Sequence, residues 1–164
     1  MRIAATHVFS VPARVLMDVM DEDALEDRLA EASGMQREVI EMYEKDGIRH
    51  KRVRCRPKRN VPSFMKALVG GRQLEYDELN RTDLEGGVIE WWVEPPVFPE
   101  RLVVKGITRV TEHPDGSQRV LEGEVGVKVR LLGGRIEKLI CDDFHKSYDV
   151  AADRLRAYIR DTRR

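Results

Sequence analysis
Residues 127–140 read VKVRLLGGRIEKLI. Upstream of the glycine pair, Leu121, Gly123, Val125, Val127, Val129 and Leu131 fall on one face, and Glu122, Glu124, Lys128 and Arg130 on the other. That alternation predicts a strand over Gln118–Leu131 with one buried face and one wet face. Downstream, Ile136, Ile140, Phe144, Tyr148, Ala151, Leu155, Tyr158 and Ile159 recur every three or four residues, the stripe of a long amphipathic helix. Burying a large apolar side chain stabilises by about 1.5–3 kcal/mol, so the stripe has to lie on a broad apolar surface. Gly133-Gly134 reads as the sharp reversal that folds the helix back over the strand before it.

A surface of that breadth is encoded upstream. Glu38–Glu44, Ile48–Arg56, Arg72–Arg81, Val88–Glu94 and Arg101–Thr111 have strand character. Asp46-Gly47, Gly86-Gly87, the proline-rich PPVFP at 95–99 and Pro114-Asp115-Gly116 supply turns between strands. Short connections predict an antiparallel meander. Arg2–Phe9 reads as one more strand. Pro12 suits the first turn of a helix carrying Val15, Leu16, Val19 and Met20. Asp21 and Asp23 are candidate N-caps of a second short helix, with Leu25 and Leu29, that stops at Gly34. The expectation is a single α+β domain over residues 1–164.

Composition agrees. The 164 residues are 41% apolar and 35% charged, with Lys plus Arg equal to Asp plus Glu at 29 each. A balanced charge gives no global attraction to nucleic acid or anionic membrane, so any such contact needs a local patch. Cys55 and Cys141 are far apart and form no CxxC, which argues against a disulfide framework or a thiolate zinc site and suits a reducing compartment. With no signal-like or membrane-spanning apolar run, a cytoplasmic location is expected.

The order strand, two short helices, six-stranded meander and long C-terminal helix resembles the START-like, or helix-grip (SRPBCC), superfamily over essentially the whole chain. FSVPARVLMDVM at 9–20, VPSF at 61–64 and LLGGRIEKLI at 131–140 are similar to an uncharacterised bacterial branch of it. The resemblance implies a curved antiparallel sheet of about seven strands wrapped around the C-terminal helix, often with a hydrophobic cavity between them. Members bind lipids, sterols, polyketides or plant hormones; some are cyclases or hydrolases, and some are co-chaperones. Fold alone therefore does not settle function.

In the less charged register the inward face carries Val53, Cys55, Leu74, Tyr76, Glu78, Asn80, Ile89, Trp91, Val93, Leu102, Val104, Gly106, Thr108 and Val110, then the Leu121 series. Gly106 and Gly123 at inward positions, and Ser147 within the helix stripe, favour a hollow over a filled core. The same glycines also fit bulges, and Ser147 a bond to its own helix backbone. The candidate ligand-binding residues are Tyr76, Glu78, Trp91, Val104, Gly106, Thr108, Gly123, Val125, Phe144, Ser147, Tyr148 and Ala151. Phe64, Met65 and Leu68, at helical spacing between two strands, form either a lid or a plug, and Phe98 is placed to join them. An inward Glu78 needs a partner or a raised pKa; if the strand frays there, it sits at the rim in water.

RHKRVRCRPKR at 49–59 holds seven Lys or Arg and no acid. It reads first as a solvated face paired with acids such as Glu41, Glu44, Glu75 and Asp77, and second as a patch for anionic headgroups. Lacking interleaved aromatics, it does not suit nucleic acid. No P-loop, GxGxxG, HExxH or GxSxG occurs. Cys141 and His145 share a helix face but read as a buried thiol and an exposed imidazole rather than metal ligands. His7, His50 and His113 show no spacing that suggests acid–base work. The sequence thus favours a non-catalytic carrier or sensor of a hydrophobic small molecule, lipid-like or polyketide-like, with no cofactor or metal expected. The alternatives are a cyclase or hydrolase using Glu78 or Tyr76, and a filled-core protein-interaction module. Nucleic acid is not expected as a partner; transient contact with a membrane surface is compatible.

Overall fold
The computed structural model describes residues 1–58, 66, 71–95 and 100–163. Along them run β1 (Arg2–Phe9), α1 (Ala13–Val19), α2 (Asp23–Ser33), β2 (Met35–Lys45), β3 (Ile48–Pro57), β4 (Tyr76–Asp83), β5 (Val88–Glu94), β6 (Leu102–His113), β7 (Gly116–Val127) and α3 (Gly133–Thr162). The strands form one antiparallel sheet in the order β1-β7-β6-β5-β4-β3-β2. Six consecutive strands are thus a plain meander, and β1 returns to pair with the last of them. This is the α+β helix-grip arrangement.

Local chemistry accounts for the connections. Asp46 (φ 54°) and Gly47 (φ 78°) both lie in the left-handed region, the two-residue turn whose twist matches a hairpin. Gly34 (φ 61°) ends α2 in the same region. Neither Asp21 nor Asp23 caps α2: Glu22 holds that position without a side-chain cap bond, and Asp21 is engaged by Arg49 and Lys51 instead.

The strand-to-helix junction departs most from expectation. β7 ends at Val127, so Val129 and Leu131 are not part of its inward series. The left-handed residue is Leu131 (φ 68°), not a glycine. Gly133 is already the first helical residue, and its N–H bonds the Val129 carbonyl at 2.8 Å. A Cβ there would stand 2.5 Å from the Val127 carbonyl oxygen. Its missing side chain therefore permits close helix–strand approach rather than a reversal of φ.

α3 packs on β1, β7 and α2, and two apolar clusters seal its ends. At one end Phe9, Leu16, Met17, Val19, Leu25 and Val110 close on Ala152, Leu155, Tyr158 and Ile159. At the other, Ile3, Val104, Leu121 and Val125 close on Cys141. No helix among the described residues is long and apolar enough to cross a membrane.

Candidate ligand-binding site
Packed against the second cluster, the sheet–helix interface is built from the aromatic rings of Trp91, Phe144 and Tyr148. Trp91 on β5 stands opposite Gly106 on β6, which stands opposite Gly123 on β7. The two glycines do not leave an empty space. A Cβ on Gly123 would lie 2.8 Å from the Trp91 ring, and one on Gly106 would run into the same indole. The pair makes a trough in which the Trp91 ring lies. Above it Phe144 stacks at 5.7 Å with 19° between planes, and Tyr148 stacks on Phe144 at 5.5 Å and 16°. Rings at such separations attract beyond their area of contact.

This stack is incompletely covered. Trp91, Phe144 and Tyr148 each retain accessible surface, as do Tyr76, Glu78, Gly106, Gly123, Ser147 and Ala151. Val104, Thr108 and Val125 are sealed into the core and offer no surface to line a hollow. Tyr76 and Tyr148 lie deep nonetheless: burial pushes the Tyr76 hydroxyl well above the usual phenol range, with Glu78 adding to it, and burial raises Tyr148. Phe64, Met65, Leu68 and Phe98 lie outside the described residues.

Glu78 points inward, as the alternation requires, and is neither unpaired nor sealed from water, its side chain being 32% exposed. Its carboxylate accepts a bond from Arg37 at 3.0 Å. Arg37 also donates to Glu26 at 2.8 Å, and Lys51 donates to Glu26 at 2.8 Å. Lys51 is therefore the exception within the basic run: its side chain is 4% exposed, inside the fold. Arg49 lies on the same face of β3 and shares Asp21 with it, whereas Arg52 pairs with Asp77 and Glu94, Arg54 with Asp77, and Arg56 with Glu75 and Glu38 on the outer face. Burial pushes the Cys55 thiol far up, which leaves it an inert neighbour of Arg37. A separate surface cleft at Asp18, Asp21, Met42, Tyr43, Glu44 and Arg49 has its guanidinium already bonded to Asp21 and Glu44.

A second polar group went unseen in the sequence. His7 and Arg119 face one another across β1 and β7, both buried. The His7 Nε2 lies 2.8 Å from Asp149, and its Nδ1 lies 3.4 Å from an Arg119 nitrogen. Those bonds fit a neutral imidazole that donates to the carboxylate and accepts from the guanidinium. Burial lowers the His7 pKa against the opposing pull of Asp149, and Arg119 lowers it further. The Arg119 guanidinium lies 4.3 Å from the Tyr148 ring centre and 5.1 Å from that of Phe9, and its Nε has no partner. The ring stack thus ends against a cation held in the core. Among the described residues no three His, Cys, Asp or Glu are grouped to hold a metal; Cys141 is buried and His145 exposed.

A family model described as a protein of unknown function, DUF2505, matches residues 4–159. No curated protein matches the sequence. Among solved structures, the Zhui aromatase/cyclase from Streptomyces sp. R1128 is 14% identical with a TM-score of 0.70, the match covering 100% of this chain and 96% of that one. Ara h 8.0201 is 14% identical at 0.68, covering 99% of each chain. A protein of Thermus thermophilus is 13% identical at 0.66, covering 96% of this chain and 99% of that one. At such identities the likeness establishes the START-like helix-grip fold over the whole chain.

Proposed function
The chain belongs to the DUF2505 family, and from that premise we propose that it binds a hydrophobic small molecule in the recess between the sheet and α3. The observation that carries the reading is the stack Trp91–Phe144–Tyr148, three large rings deep in the fold that keep accessible surface. Apolar rings in that state are costly in water, at about 25 cal/mol per Å², and a flat apolar ligand relieves the cost. Tyr76, Ser147 and Ala151 border the same recess in this reading. The similarity to an aromatase/cyclase favours a ring-containing or ring-forming carbon skeleton as occupant.

A binding role is favoured over catalysis. The enzymatic alternative used Glu78 or Tyr76, and an unpaired Glu78 would have favoured it; Arg37 holds that carboxylate instead. The basic strand is set aside as a headgroup patch because its arginines are paired on the sheet surface.

The test is native mass spectrometry on protein purified from its own host, with organic extraction of whatever co-elutes. A reproducible adduct, lost on extraction and regained on add-back, is the expected result. Phe144→Ala should weaken its rebinding about tenfold. Bare protein under mild conditions, together with no saturable quenching of tryptophan fluorescence by fatty acid, sterol or aromatic probes, overturns the reading.

A further inference from the structure
The turn between β7 and α3 concentrates two penalties in one residue. Leu131 is 97% exposed and sits at φ 68°, a left-handed conformation that disfavours a side chain with a Cβ. Leu132 and, two turns along α3, Leu139 are exposed as well. Around them Lys128, Arg130, Arg135 and Lys138 are all exposed. The single acid of that stretch, Glu137, is turned inward, accepting the Val127 N–H at 2.9 Å and lying 3.7 Å from the N-terminal ammonium. Lys138 is paired with Asp142; Lys128 and Arg130 lead the apolar tip directly. In a chain of net charge zero, this is a local concentration of positive charge around exposed leucines.

That combination complements one kind of surface. Leucine side chains seat at the boundary between headgroups and acyl chains, while long basic side chains stay at headgroup level beside anionic lipids. We propose that the Leu131–Leu132 tip docks this protein on an anionic lipid bilayer. The docking stands on the tip alone and does not require the recess to be occupied. The tip does lie at the end of the sheet where β4 begins at Tyr76 and β6 begins at Leu102, so a docked molecule turns that end of the recess toward the lipid.

The test is co-sedimentation of the whole chain with vesicles of phosphatidylcholine alone and of phosphatidylcholine with phosphatidylglycerol. Binding is expected only to the anionic vesicles and should weaken steeply as salt rises. Leu131→Gly should lower that binding about tenfold without lowering the melting temperature, because glycine adopts φ 68° without strain. Charge reversal of Lys128 and Arg130 together should abolish it. Absence of sedimentation with anionic vesicles at low salt overturns the proposal, as does equal binding to neutral vesicles or unchanged binding by Leu131→Gly. Self-association without lipid in sedimentation velocity, lost in Leu131→Gly, also overturns it and assigns the tip to a second copy of the chain.

Discussion
Burial lowers the His7 pKa, and Arg119 from β7 and Arg156 from α3 lower it further against Asp149, which pulls it up, while the Tyr148 ring packs beside the imidazole. Its folded-state pKa lies below the ordinary 6.5, so in the window between the two values the unfolded chain binds the proton more readily. The corresponding stability is fully present above pH 6.5 and is lost as pH falls through the folded value. Denaturant unfolding from about pH 8 to about pH 5 should show that loss, and His7→Gln should flatten it relative to the unsubstituted protein. An identical pH profile in both would sink the assignment. At Gly123 a methyl group meets both the Lys105 carbonyl at 2.7 Å and the Trp91 ring. Gly123→Ala, which would ordinarily favour a strand, should here destabilise by about 1–3 kcal/mol, measured by urea unfolding, and displace the indole, seen in its fluorescence. Alternation locates Gly123 but not its occupant, because Trp91 reaches it across β6. Arg119 was hidden for another reason. It shares the inward face with Leu121 and Val125, yet arginine is normally exposed, and only the pairing of His7 with Arg119 supplies its partner.

At the scale of elements, charge joins α2 to the sheet. Burial works to raise the Glu26 pKa, but Arg37 and Lys51 outweigh it and hold the carboxyl below its usual range. Removing that carboxylate leaves two cations inside the fold, one of them Lys51. Glu26→Ala should therefore destabilise by about 3 kcal/mol, against much less for an exposed pair such as Arg14 with Asp18. Equal melting temperatures for Glu26→Ala and Asp18→Ala would refute this. The described elements were legible from period and turn chemistry, since Asp46-Gly47, Gly34 and the α3 stripe each carry a local signal, but β4 begins at Tyr76 rather than Arg72, which leaves Leu74 outside the strand. The β7–α3 junction was not. Gly133-Gly134 invites a reading as a flexible reversal, whereas Gly133 serves close approach to Val127 and the strained residue is Leu131. Glycine marks both uses with one letter. Gly133→Ala should accordingly cost stability while Gly134→Ala, which meets nothing within 4 Å, should not; thermal melts of the pair separate the two roles.

On the scale of the whole molecule, the proposed site lies against a core cluster and α3, so its occupancy should register as global stability. A ligand at about a hundred times its dissociation constant adds about 2.7 kcal/mol, which in a chain of this size raises the melting temperature by about 5–10 °C. Fold class was legible because a long amphipathic helix after a meander has few places to go. The aromatic stack was legible only in part, since its rings are divided between β5 and α3, far apart in sequence. The sheet order has one more consequence. Arg2 pairs with Glu124 and Phe9 with Ser117, so β1 finds its partner only after roughly a hundred further residues have been added on the ribosome. At roughly 5–20 residues per second that is a wait on the order of ten seconds, during which Ile3 and Phe9 have no sheet to enter, and a nascent chain of this kind is a natural client for a chaperone that shields apolar segments as they leave the ribosome.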